Sequence, residues 1–289
     1  MGAFHMKTFT RRGMLAASGV IITSRAFGTT SERIICLGGS ITEVVYRLGH
    51  DRNVVGVDAT SQFPPQALKD KRNVGYVRAL GPEGMLSLTP TLVLASDSAG
   101  PPATLQLVEQ AGVRIVRISD EPSPTGILRL VGSVAAALDA SETGRALSDE
   151  IDLAFSSLAA ERAKIGQPAR VLFVLSLQNG RPLVGGHGTT ADAILTLAGA
   201  ANAVPSLEGW KPLSDEGIVA AAPEVIVTLD RGPGHAAADP FDIPSFAATP
   251  AAKERRVVTM DALYALGFGP RTPAAARDLM AAVYREQLH

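Results

Sequence analysis

Apolar residues along this chain recur in short unbroken runs alternating with helical spacings, the mark of buried strands followed by amphipathic helices. Residues 34–37 are wholly apolar and lead through Gly38-Gly39-Ser40 into a helical pattern over 41–48. Ser40 reads as the N-cap, and Glu43, three residues on, completes a capping box. The layout returns later. Residues 171–175 form a β-branched apolar run, and Gly188-Thr189-Thr190-Ala191-Asp192 leads into a helix over 193–197, so that 39–48 overlays 188–197 at a constant offset. A second pair is sharper. Glu83-Gly84-Met85-Leu86, Pro90 and the run 92–94 match Glu216-Gly217-Ile218-Val219, Pro223 and 225–227, again at one offset. Each copy predicts a short helix, a turn fixed by proline and a buried parallel strand. Two copies are too few for a solenoid and predict a duplicated architecture.

Between the copies, Leu147, Ile151, Ala154, Phe155, Leu158 and Ile165 recur at helical spacing with charges between them, and Gly166 and Pro168 end the pattern. One helix over 141–165 would run roughly 37 Å at ~1.5 Å per residue. The predicted fold is α/β: two Rossmann-like lobes, 33–140 and 166–289, joined by this long helix. Ligands of open α/β sheets bind beyond the carboxyl ends of the strands, so the loops there should face a cleft between the lobes.

Composition narrows the function. The chain has 289 residues, 46% hydrophobic and 19% charged, with a net charge of −1. That is globular, and the charge balance excludes a nucleic-acid binder that depends on neutralising phosphates. Residues 1–28 read as a signal peptide: Lys7, Arg11 and Arg12, an uncharged stretch over 13–24, then small residues around Ala26 and Gly28. Thr10-Arg11-Arg12-Gly13-Met14-Leu15 also fits a twin-arginine export signal, although an ordinary secretory signal can carry two arginines. Removing the segment's basic residues leaves a mildly acidic mature chain, expected in the periplasm. Cys36 is the only cysteine, placed in an apolar run as a buried core residue.

No catalytic motif is present. Gly38-Gly39-Ser40 is not a dinucleotide fingerprint, and there is no Walker loop, no His-x-x-x-His zinc spacing and no Gly-x-Ser-x-Gly elbow. The expectation is a binding protein, not an enzyme, with no catalytic cofactor.

The two-lobe layout resembles the helical-backbone class of periplasmic substrate-binding proteins, which serve ABC importers of vitamin B12, siderophores and haem. Four strings look like the haem-binding HmuT family: Gly56-Val57-Asp58-Ala59-Thr60-Ser61, Gly75-Tyr76-Val77-Arg78-Ala79-Leu80, Thr189-Thr190-Ala191-Asp192-Ala193 and Gly267-Phe268-Gly269-Pro270-Arg271-Thr272-Pro273. The resemblance covers residues 33–289. It implies haem as the transported ligand, an ABC permease dimer as partner and, indirectly, an outer-membrane haem receptor. A cobalamin or iron–siderophore carrier, or a sensor that kept the fold, are the alternatives. The family commonly carries an iron-ligating tyrosine before proline after a Thr-Ser pair. Here Thr60-Ser61-Gln62-Phe63-Pro64 puts Phe63 there, and a phenyl ring has no lone pair for iron. It can still bury apolar area against a porphyrin.

Another ligand is then needed. His187, in the Gly185-Gly186-His187-Gly188 loop, is the expected replacement, because neutral imidazole ligates haem iron. Tyr76 and His235 are alternatives. Trp210 is expected to stack on the macrocycle. Arg231, after the strand 225–229, is expected to meet a propionate, with Arg78 and Lys211 as weaker candidates. In the resembling class one glutamate on each lobe's rim pairs with permease arginines. Glu83 and Glu216 occupy those matched places, which also suit helix-start glutamates.

Overall fold

A computed structural model describes residues 1–3, 32–178, 181–230 and 239–285. Most of the expected signal segment, together with Arg231 and His235, lies outside them. The first half contributes β1 (Ile34–Leu37), β2 (Val54–Val57), β3 (Arg72–Asn73), β4 (Gly75–Tyr76), β5 (Ala79–Leu80), β6 (Leu92–Ser96) and β7 (Arg114–Ile118). Its helices are α1 (Gly39–Arg47), α2 (Gln66–Asp70), α3 (Pro82–Leu86), α4 (Pro102–Gln110) and α5 (Pro124–Ala137). Then α6 (Ser141–Arg162) crosses to the second half, with β8 (Arg170–Gln178), β9 (Arg181–Gly185), β10 (Ala201–Asn202), β11 (Trp210–Pro212), β12 (Val225–Asp230) and β13 (Val257–Asp261). The second half's helices are α7 (Thr190–Leu197), α8 (Asp215–Ala221), α9 (Pro244–Ala247), α10 (Pro250–Lys253), α11 (Ala262–Leu266) and α12 (Thr272–Val283).

The first sheet is parallel throughout, in the order β3-β2-β1-β6-β7. Its inner strands β1, β2 and β6 read as near-continuous apolar runs because both faces are covered. Ile34 and Cys36 point into one core, and Ile35 and Leu37 into another. In the second sheet Val171 and Phe173 oppose Leu172 and Val174 in the same way. Each lobe therefore has its own core on one sheet face. On the other face the lobes share a single apolar layer, built by α1, α5, α6, α7 and α12. Burial raises the Cys36 thiol to about 12, so it packs as an inert residue.

The matched units form as expected. The helix α3 leads to β6 and α8 leads to β12, with Glu83 and Glu216 in the exposed first turns. The second lobe departs from the first in its sheet, ordered β11-β9-β8-β12-β13, because β9 and β11 join antiparallel.

Two local expectations are corrected. The long helix ends at Arg162, and Ile165 N–H bonds instead to Arg162 O in a tighter i−3 turn. Ser40 is not a cap either: α1 begins at Gly39 with Gly38 as N-cap and no side-chain cap bond. Glu43 is thereby released from a capping box, and its carboxylate points elsewhere.

Candidate functional site: a cleft with aromatic walls

A cleft of about 840 Å³ opens where the strands end. Gly38, Gly39 and Ser40 after β1, Ser96 and Ser98 at the end of β6, Leu229 and Asp230 at the end of β12, and Ala262 after β13 all border it. This is the crevice expected of open α/β sheets. Phe63, Tyr76, Trp210 and Tyr264 supply aromatic wall, and Arg78 and Arg271 supply cationic groups. The expected residues Phe63, Tyr76, Arg78 and Trp210 are thus brought together.

The loop carrying Phe63 is fixed by one buried carboxylate. Asp58 is fully buried at the end of β2. Its Oδ1 accepts from Gly38 N–H (2.8 Å) and Ser61 Oγ (3.0 Å), and its Oδ2 from Thr60 N–H (2.8 Å) and Thr60 Oγ1 (2.6 Å). Thr60 Oγ1 also accepts from Gly39 N–H at 3.1 Å, so the first turn of α1 is satisfied by this loop. A Cβ at Gly39 would lie 2.4 Å from Thr60 O, which is why the approach needs glycine. The loop presents Phe63 and Gln62 to the cleft.

Tyr76 and Arg78 stand on the two-stranded β4–β5 turn. Tyr76 is 50% exposed, and among the described residues its hydroxyl has no hydrogen-bond partner. Arg78 likewise makes neither a hydrogen bond nor an ion pair there. Both side chains are therefore uncommitted.

On the opposite side, Trp210 stands edge-on to the buried Phe173, with ring centroids 6.3 Å apart at 71°. That contact sets the indole as a wall. Lys211, its exposed neighbour, does not line the cleft. Neither does His187. The glycine-rich segment around it is pinned rather than loose: His187 N–H bonds to Leu207 O (2.6 Å), Gly186 N–H to Gly209 O (3.0 Å) and Gly209 N–H to His187 O (3.0 Å). Gly186 is there for close approach, since a Cβ would meet Leu207 O at 1.9 Å. The exposed imidazole places Nδ1 3.2 Å from Asp192 Oδ2, bracing the start of α7.

Three further residues border the cleft that the sequence pattern did not place there: Arg271, Tyr264 and Glu43. Arg271, at the start of α12, donates from Nε to Glu43 Oε2 at 2.9 Å. Its guanidinium carbon lies 3.7 Å from the Phe63 ring centroid and 5.2 Å from that of Tyr264. Burial pushes the Glu43 carboxyl above its ordinary 4.5, against the opposing pull of Arg271. Tyr264 donates its hydroxyl to Asp278 Oδ2 at 2.8 Å, and burial with that bond pushes the phenol up to about 12. It is held as a neutral phenol. Arg271 lay inside the Gly267–Pro273 string, but nothing in a linear string reveals that it meets Glu43.

The periplasmic binding protein family model matches residues 34–264. The chain belongs to that family. A solved structure of similar shape is the periplasmic haem-binding protein RhuT from Roseiflexus sp. RS-1, 38% identical, with a TM-score of 0.84 over 88% of this chain and 98% of that one. Among curated proteins, an uncharacterised ABC transporter substrate-binding lipoprotein of Bacillus subtilis is 26% identical, covering 88% of this chain and 80% of its own length. The vitamin B12-binding protein of Vibrio cholerae is 28% identical, over 70% of this chain and 71% of that protein.

Proposed function

We propose that this periplasmic binding protein captures haem in the cleft between its lobes and delivers it to an ABC permease. The observation that carries the reading is the lining: aromatic faces from both lobes around a roomy cleft, with arginines at its edge. That chemistry suits a flat apolar macrocycle bearing two carboxylates. The similarity to RhuT supports the same ligand. The weaker and less extensive similarity to a B12-binding protein keeps a corrin as the second reading, and Phe63 favours it by removing one iron ligand.

Iron needs a donor that Phe63 cannot be. Among the described cleft residues, Tyr76 has the one phenol with no hydrogen-bond partner, whereas Tyr264 is committed to Asp278. We assign Tyr76 as the axial ligand. Arg78, two residues on, is suited to a propionate. Titrating hemin into the mature protein should give saturable binding with a phenolate-type charge-transfer band, and Tyr76→Phe should remove that band. Saturable binding with a band indifferent to Tyr76→Phe would move the ligand to another residue, and no binding at micromolar hemin would end the haem reading.

Glu83 and Glu216 are exposed, equivalent and outside the cleft lining, as docking carboxylates for a two-fold permease would be. Replacing both by alanine should leave hemin affinity unchanged and lower stimulation of the permease's ATPase in proteoliposomes. Unchanged stimulation would remove the docking role.

A further inference from the structure

Phe63 raises a question that the haem reading leaves unanswered: what an apolar ring does at the place where the resembling family carries a tyrosine. Its face is already occupied. The Arg271 guanidinium lies 3.7 Å from the ring centroid, inside the range of a cation–π contact. The same guanidinium is tied through Nε to Glu43 and flanked by Tyr264. Glu43 and Phe63 come from the first lobe, Tyr264 and Arg271 from the second, so the cation is set by contacts from both walls.

This arrangement commits one of arginine's five N–H donors. Among the described residues the terminal amino groups of Arg271 have no hydrogen-bond partner, and the side chain lines the cleft. The ion pair is also graded in depth, with the Arg271 side chain 28% exposed and that of Glu43 5%. Its negative end lies in the protein and its positive end towards the cleft. A guanidinium locked in plane, with its fork free, is preorganised for a carboxylate and loses little conformational freedom on binding one.

We propose that Arg271, stacked on Phe63 and anchored by Glu43, is a specificity-determining residue that recognises a carboxylate of the bound macrocycle. Phe63 then serves as the platform for this cation, and Glu43 as its positioning residue. The inference rests on the haem reading and assigns the acid-recognising contact within it.

The test compares hemin with hemin dimethyl ester, which has the same ring and iron but no carboxylates. The wild-type mature protein should bind hemin about 10- to 100-fold more tightly than the ester, the range of a charge-assisted contact. Arg271→Lys keeps a positive charge beside Glu43 and the fold with it, but loses the planar fork. It should lower hemin affinity towards that of the ester and leave the ester's within about 3-fold. The double variant Glu43→Gln/Arg271→Gln leaves no buried charge unpaired and should show the same loss of discrimination. Wild-type binding of both ligands with equal affinity, or undiminished discrimination in these variants, would overturn the inference while leaving haem capture standing. Failure of the wild type to bind either ligand would overturn both.

Discussion

Asp58 and Glu43 are both carboxylates buried in the first lobe beside the same cleft, and the protein uses them in opposite ways. Asp58 accepts four hydrogen bonds from Gly38, Thr60 and Ser61, so both its oxygens are satisfied and its loop is tied to the start of α1. Among the described residues Glu43 has one hydrogen-bonded partner, Arg271, reached from the other lobe, and its Oε1 is buried without one. A satisfied buried carboxylate builds a scaffold. One left half-satisfied is costly by itself and is kept for what it holds. Here that is the Arg271 cation lining the cleft.

The comparison predicts unequal consequences. Asp58→Ala strands the Gly38 and Thr60 amides and frees the loop beneath Phe63. It should cost about 3 kcal/mol or more in urea unfolding; a cost below ~1 kcal/mol would mean water replaces the network freely. Glu43→Gln should act less on the magnitude of stability than on its pH dependence. The folded protein holds the Glu43 proton more tightly than the unfolded chain, because the carboxyl's value is raised. Its contribution to stability is therefore fully present below the ordinary carboxylate range and falls as pH rises through the raised value. Glu43→Gln should remove that fall, and a wild-type-like slope above the ordinary carboxylate range in the variant would place the titration elsewhere. Phe63→Leu, which keeps the site apolar but removes the ring, should have the smallest effect, about 0.5–1 kcal/mol in stability. A larger loss would show that Phe63 supports the loop and not only the guanidinium.

Much of the fold was legible because it is written in local pattern. The apolar runs of β1, β6 and β12, the proline-fixed units ending in β6 and β12, and the spacing of Leu147, Ile151, Phe155 and Leu158 along α6 each depend on neighbours in sequence. The antiparallel β9 and β11 were not, since their pairing joins segments with little apolar periodicity. His187 was misplaced for a related reason. Glycines beside it suggested a loose loop, but Gly186 is small so that the chain can lie against Leu207. The Glu43–Arg271 contact joins residues 228 positions apart, and no linear motif encodes it. Phe63 is the instructive middle case. Sequence showed what it cannot do, coordinate iron, and the folded structure places its ring 3.7 Å from the Arg271 guanidinium carbon.

Haem capture requires the cleft to select an iron porphyrin over a corrin such as the one for which the Vibrio cholerae relative is named. Equilibrium titration of the mature protein with hemin, in the presence and absence of excess cyanocobalamin, tests it most directly. Saturable micromolar or tighter hemin binding that cyanocobalamin does not displace is expected. Saturable cyanocobalamin binding that competes with hemin, or replaces it, would contradict it.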